Sequence, residues 1–400
     1  MRAVYLDNNA TTRVDPEVVE VMLPFFTEQF GNPSSIHAFG ASVGGSVRKA
    51  RQQLQALLGA EHDHEIIYTA SGTESDNTAV LSALEAMPGR NEIVTTQVEH
   101  PAILALCQHL EKIGRAKVHY IGVDSLGRLD LEAYRAALSD KVALVTIMWA
   151  NNETGTIFPV EALAELAKEH GALFHTDAVQ AVGKIPISLK GGPIDMLSLS
   201  GHKLHAPKGI GALYVKRGAR FKPLLRGGHQ ERGRRAGTEN APGIVALGKA
   251  AELATKHMPD EQGRVRELRD RLESALLQRI PNCFVNGDQR ERLPNTCNIA
   301  FEYVEGEAIL LHLNRQGVAA SSGSACTSGS LEPSHVMRAM NVPFTAAHGS
   351  IRFSLSRDTV AEDVDQVIET LPQIMENLRA LSPFWAGANK GPSEFKPVYA

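Results

Sequence analysis

Apolar and polar positions along the chain fall into two textures. Between residues 64 and 215, short apolar runs alternate with stretches of helical periodicity. The runs at 64–70, 92–96, 117–121, 143–149, 172–175, 194–199 and 210–215 read as strands. Helices are predicted over 41–58, ending at Gly59, in the stretch after Ser71 that carries Ala79, Val80, Leu81 and Leu84, and over 160–170, stopping at Gly171. Repeated strand–helix units predict an α/β fold, a mostly parallel sheet with helices on both faces. After about Gly263 the texture changes. Val265, Leu268, Leu272 and Leu276 line one face of a long helix ending before Pro281. Strand-like runs at 296–301 and 351–355 flank a helix at 305–314, and 359–381 reads as helical but interrupted at Pro372. This predicts a smaller α+β domain. The expected division is an N-terminal arm, 1–14, packing with the small domain, a large domain, 15–262, and a small domain, 263–400. The arm reading rests on the polar, turn-rich run from Tyr5 to Thr12, and no internal repeat is visible.

Polar residues gather where the predicted strands end, the place where open α/β sheets bind ligands. Ser200, Gly201, His202 and Lys203 follow the 194–199 run, and Asp177 and Gln180 follow the 172–175 run. A lone lysine is ordinarily a solvated surface residue. A lysine and an acid meeting at one sheet edge, however, form the arrangement that a pyridoxal phosphate site requires. Ser71-Gly72-Thr73 opens a helix, either as a plain cap or as a phosphate site with unpaired N–H groups. His100 stands at a strand-to-helix turn, structural or set to cover a flat ring. The loop Ala150–Gly155 follows a fully apolar strand. Cys326 lies between Gly323 and Gly329 among serines, in a loop where a thiol can react rather than sit buried.

Composition narrows the field. The 400 residues are 43% hydrophobic and 22% charged, an ordinary globular balance. A formal net charge of −4 argues against nucleic acid as the main partner. The arginine-rich stretch 226–240 lacks interleaved aromatics and reads as a glycine-rich loop that binds anions or reaches a neighbouring subunit. No segment has the length of a membrane span or the core of a signal peptide. Cys107, Cys283, Cys297 and Cys326 are too scattered for a disulfide framework or a metal motif, so a cytoplasmic protein with reduced thiols is expected.

Taken together, Tyr5-Leu6-Asp7-Asn8-Asn9-Ala10-Thr11-Thr12, Gly72-Thr73-Glu74-Ser75, Thr176-Asp177-Ala178-Val179-Gln180, Ser200-Gly201-His202-Lys203, Arg234-Arg235-Ala236-Gly237-Thr238 and Ser322-Gly323-Ser324-Ala325-Cys326 resemble the cysteine desulfurases. The motifs occur in order across nearly the whole chain. The Cys326 loop and the Leu381–Trp385 region look closest to the nitrogen-fixation (NifS) type, with the housekeeping type as the near alternative. The resemblance implies PLP fold type I, aspartate aminotransferase-like, with pyridoxal 5'-phosphate as cofactor and L-cysteine as substrate. It implies Lys203 as the residue that bonds the cofactor and moves the substrate's Cα proton. Asp177 pairs with the ring nitrogen, its own carboxyl held low by that cation, and His100 stacks on the ring as an acid/base. Gln180 and Asn152 orient the cofactor, Asn152 also meeting substrate, while Gly72, Thr73, Ser200 and His202 hold the phosphate. Thr238 comes from the partner of a homodimer, and Arg352 clamps the substrate carboxylate. Cys326 takes the sulfur as a persulfide, leaving L-alanine, and passes it to an iron–sulfur scaffold protein, its sulfur touching iron only transiently. A selenocysteine lyase or aminotransferase of the same fold would not need that thiol. A non-enzymatic sulfur carrier would not need Lys203, Asp177 and the phosphate turn together.

Overall fold

In a computed structural model, which describes residues 3–322, 333–382 and 385, the larger sheet has seven strands. Their order is Ile66–Thr69, Gly211–Val215, Met196–Ser200, Leu173–Asp177, Val142–Thr146, Glu92–Thr96 and Lys117–Ile121. Six share one direction, and Gly211–Val215 runs antiparallel to both of its neighbours. Side chains alternate between two buried faces, as a pleated strand requires. In Gly211–Val215, Ala212 and Tyr214 enter one core while Leu213 and Val215 enter the other. The first core is closed by helices Ala38–Leu58, Val160–Glu169 and Ala241–Asp260, the second by Gly72–Ala86 and Pro101–Lys112. A strand buried on both faces must be apolar throughout, which is why these segments read as continuous runs.

A third core forms around an antiparallel four-stranded sheet, ordered Ser321–Ser322, Ser350–Ser354, Thr296–Phe301 and Cys283–Val285. Helices Arg266–Arg279, Gly306–Arg315 and Ala361–Leu381 supply Leu272, Ile309, Val367 and Leu371 to it.

Three sequence expectations need correction. The helix expected to be interrupted at Pro372 runs unbroken from Ala361 to Leu381. Proline there removes the hydrogen bond to the Ile368 carbonyl, and Arg279 Nη1 donates to that oxygen instead, at 3.2 Å. The change of texture near Gly263 falls inside one continuous helix, since Ala241–Asp260 passes through a π turn, Glu261–Val265, into Arg266–Arg279. The polar start of the chain is a buried element. Val4–Tyr5 pairs in parallel with Val318–Ala319, Val4 and Leu6 join the third core, and Asn8, Asn9 and Thr12 are buried. Strand bounds also shift by a few residues, and Asp177 is the last residue of its strand. Among the described residues, no helix is long and apolar enough to cross a membrane.

Helix Ala241–Asp260 packs against Ala38–Leu58 through Gly248, where an added Cβ would stand 2.5 Å from both Cα and Cβ of Ala50. Alanine gains about 1 kcal/mol in helix propensity over glycine, but overpacking of a close helix contact costs about 1–3 kcal/mol. Gly248→Ala is expected to lower the thermal unfolding midpoint, and an increase would show that the two helices are free to separate.

Candidate functional site

A cavity of about 320 Å³ opens at the carboxyl ends of the parallel strands. Lys203, Asp177, His100, Gly72, Thr73, Asn152, Gln180, Ser200, His202 and Arg352 all line it. They arrive on several different connections, so the sheet order, not sequence spacing, brings them together. Met196–Ser200 ends in the tight turn Gly201–Lys203, and its neighbour Leu173–Asp177 ends on the acid.

At one wall stands the N-terminus of helix Gly72–Ala86. Ser71 caps it, its Oγ accepting from Glu74 N–H at 3.1 Å. The first N–H groups of a helix have no partner within the helix and carry its positive end. Here they belong to Gly72 and Thr73. A Cβ at Gly72 would stand 2.9 Å from Val179 Cγ2 and 3.3 Å from Ser200 Cβ, so glycine lets the helix start approach both strand ends.

Asp177 is buried, and its Oδ1 accepts from Val179 N–H at 2.9 Å. Burial raises its carboxyl above the ordinary range, against the downward pull of His100, the Val179 N–H and Lys203. The expectation of a low value therefore holds only with a cation at the carboxylate itself. Lys203 Nζ donates to the carbonyls of Asn9 and, at 2.7 Å, Ala10. His202 Nδ1 lies 3.2 Å from Thr11 Oγ1, and burial pushes its ring down to about 4, Lys203 adding to the effect.

His100 caps helix Pro101–Lys112, Nδ1 accepting from Ala102 N–H at 3.1 Å. That bond requires an unprotonated Nδ1, which leaves Nε2 as the N–H of the neutral ring. Burial lowers the ring's pKa in the same sense. The turn before it is held by buried Glu99, which accepts from Met148 N–H at 3.0 and 3.1 Å and from Thr96 Oγ1 at 2.8 Å.

Arg352, in the middle of Ser350–Ser354, donates through Nη2 to Asp7 Oδ1 and through Nη1 to the Asn152 carbonyl, both at 2.9 Å. Its Nε is buried with no hydrogen-bond partner among the described residues.

The residues from 4 to 367 match the family model described as aminotransferase class-V. The chain belongs to that family. It is 71% identical over 400 residues to a cysteine desulfurase of Gluconacetobacter diazotrophicus, with both chains fully covered. It is 64% identical to the cysteine desulfurase NifS of Azotobacter vinelandii, again over the whole of both chains. Among solved structures, a NifS-like protein superposes with a TM-score of 0.88 at 37% identity, covering 94% of this chain and all of that one. SspA in complex with cysteine superposes with a TM-score of 0.78 at 34% identity, over 89% of this chain and all of that one.

The family's cofactor is pyridoxal 5'-phosphate, and the cavity fits it. The helix start suits a phosphate. Asp177 is a buried carboxylate that burial leaves short of positive charge, as a partner for a cationic ring nitrogen would be. Lys203 supplies a primary amine in the same cavity.

One of the expected site residues is not in this cavity. Thr238 lines a separate one of about 250 Å³, with Thr69, Glu231 and Arg235. Cys326 lies outside the described residues. Of the other thiols, Cys107 and Cys297 are buried, and Cys283 is half-buried with Sγ 2.9 Å from the Ile280 carbonyl. In the arginine-rich stretch, Arg226 pairs with Glu85, Arg235 with Glu74, and Arg234 donates to the His64 carbonyl.

Sequence reasoning gave no role to Asp7, Asn9, Ala10, Asp76 or Glu99. The run Asp7–Thr12 was visible as polar, but nothing in its spacing joins position 9 to position 203. Asp76 lines the cavity, buried, with its carboxyl raised well above the ordinary range by burial and then by Asp177.

Burial raises Glu99 from 4.5 to about 8. A carboxyl whose folded value is raised contributes stability that is complete below its ordinary pKa and is lost as pH rises through the folded one. Glu99→Gln keeps an acceptor and cannot ionise, so its stability relative to the parent should improve between about pH 5 and about pH 8. Thermal unfolding across that range checks this, and a gap that does not change with pH would place the ionisation elsewhere.

Proposed function

We propose that this chain is a pyridoxal phosphate-dependent cysteine desulfurase that moves the sulfur of L-cysteine onto Cys326 and releases L-alanine. The observation that carries this reading is the convergence of Lys203, Asp177, His100 and Arg352 on one cavity beside a helix N-terminus. The names of the relatives support the activity, and the solved complex of SspA with cysteine supports the substrate.

Bound pyridoxal phosphate supplies an electron sink for charge developing at the substrate's Cα. Gly72, Thr73, Ser200 and His202 hold its phosphate, Asp177 its ring nitrogen, and Gln180 and Asn152 its edge. Arg352 orients the substrate carboxylate. Two of its five N–H groups are engaged, which leaves Nε and the second N–H of each Nη for that carboxylate, and Asp7 keeps the guanidinium in place. Lys203 removes the Cα proton and returns one later. His100, through Nε2, moves a proton at the substrate thiol. The Cys326 thiolate then attacks that sulfur: an S–S bond forms, the Cβ–S bond breaks, and its electron pair stays with the carbon skeleton, which takes up a proton as alanine.

In this reading residues 15–262 are the cofactor-holding unit, 263–400 the unit bearing Cys326, and 1–14 an arm between them. The place of Thr238 in a second cavity supports its serving the site of another copy in a homodimer. The persulfide sulfur passes to an iron–sulfur scaffold protein, Cys326 meeting iron only in that handover. The NifS relative supports nitrogenase maturation as the destination.

Purified protein given L-cysteine and a thiol should produce alanine and sulfide in equal amounts. Cys326→Ala should bind the cofactor normally yet form alanine more than about a hundredfold more slowly. Lys203→Ala should lose the covalently held cofactor. Mass spectrometry after one turnover should find one extra sulfur on the Cys326 peptide. Its appearance on Cys107, Cys283 or Cys297 would overturn the assignment.

A further inference from the structure

Next to the cavity lies a buried lysine to which the reaction gives no task. Lys184 is 7% exposed, less than most lysines by a wide margin. Its Nζ donates to Gln180 Oε1 at 2.8 Å and approaches Asn9 Oδ1 at 3.4 Å. Its carbonyl accepts from Gln262 Nε2, a side chain of the π turn joining the two long helices. Immediately before it in the chain, Gly183 is in the left-handed region with φ 79°.

The Gln180 amide is held at both ends by groups that leave no choice of orientation. Its nitrogen faces the Asn9 carbonyl, 3.0 Å away, which only accepts. Its oxygen faces Lys184 Nζ, whose N–H groups donate. The same Asn9 carbonyl receives Lys203 Nζ. Lys184, Gln180, Asn9 and Lys203 thus form one connected line of hydrogen bonds, and Gln180 lines the cavity. Burial, and after it Lys203, pulls the Lys184 ammonium down to about 7, with Glu261 opposing. Even as a neutral amine, Lys184 retains two N–H groups for the two oxygens it faces.

We propose that Lys184 is a positioning residue that grips Gln180 Oε1, so that the amide turns its N–H donors toward the Asn9 carbonyl and toward the cofactor. Without that grip the buried Oε1 is left unsatisfied, at a cost of about 1–3 kcal/mol, enough to draw the side chain out of position. The proposal rests on the reading above that Gln180 contacts the cofactor.

The test titrates pyridoxal phosphate into cofactor-free protein and records both affinity and the absorption band of the loaded protein. Lys184→Met should weaken binding about tenfold, equivalent to about 1.4 kcal/mol, and shift the band. Lys184→Gln, whose amide N–H can reach the same oxygen, should recover part of both, and it serves should Lys184→Met fail to fold. In a Gln180→Leu background, Lys184→Met should add nothing further. If Gln180→Leu weakens binding and the Lys184 variants do not, the proposal is wrong and the site reading stands. If Gln180→Leu binds pyridoxal phosphate like the parent, the reading of Gln180 fails and this inference with it. An undiminished Lys184→Met effect in the Gln180→Leu background would also overturn it.

Discussion

An ammonium group taken out of water must be met by acceptors, and for Lys203 the Asn9 and Ala10 carbonyls are two of them. Much of the architecture follows from that requirement. Those carbonyls are near the start of the chain, so the start of the chain has to be pinned. It is pinned from the far side: Val4–Tyr5 pairs with Val318–Ala319, Asn8 Nδ2 donates to the Ser354 carbonyl at 2.9 Å, and Asp7 pairs with Arg352. The core around the four-stranded sheet therefore holds the strap that completes a site on the seven-stranded sheet. A single covalent connection cannot impose that arrangement, but a strap buried on both sides can.

The same burial sets the charge state of the cavity. The rings of His100 and His202 are pushed toward neutrality, while the carboxyls of Asp177, Asp76 and Glu99 are pushed toward their protonated forms. Each shift has desolvation as its largest cause. A site that resists charge on its own side chains is one in which a charged ligand is strongly felt. Asp177 illustrates this, since its carboxyl is disfavoured as an anion until a cation meets it.

Much of the site was legible because its residues sit at strand ends, and strand ends are marked by an abrupt change from apolar to small and polar residues. Lys203 after Met196–Ser200, Asp177 at the end of Leu173–Asp177 and Gly72 after Ile66–Thr69 all carry that mark. Arg352 carries no such mark, being a charged residue inside an apolar strand, and only the resemblance to a family pointed to it. Lys184 and Glu99 were not singled out at all, because their roles lie in atoms they hold rather than in any local pattern. Pro372 misled for a related reason: a proline predicts a lost hydrogen bond, and whether a side chain such as Arg279 replaces it depends on the neighbouring helix.

By itself the sequence determined the alternation of strands and helices, the two textures of the chain and the set of chemically active residues at strand ends. These depend on local periodicity and on the conformational preferences of neighbouring residues, which act over a few positions. Only the tertiary structure decided that residues 9 and 203 share a hydrogen bond and that Asp7 holds Arg352. Contacts between residues separated by nearly two hundred positions or more are set by how the strands order and how the cores bury their apolar faces, and no local signal in the chain encodes them.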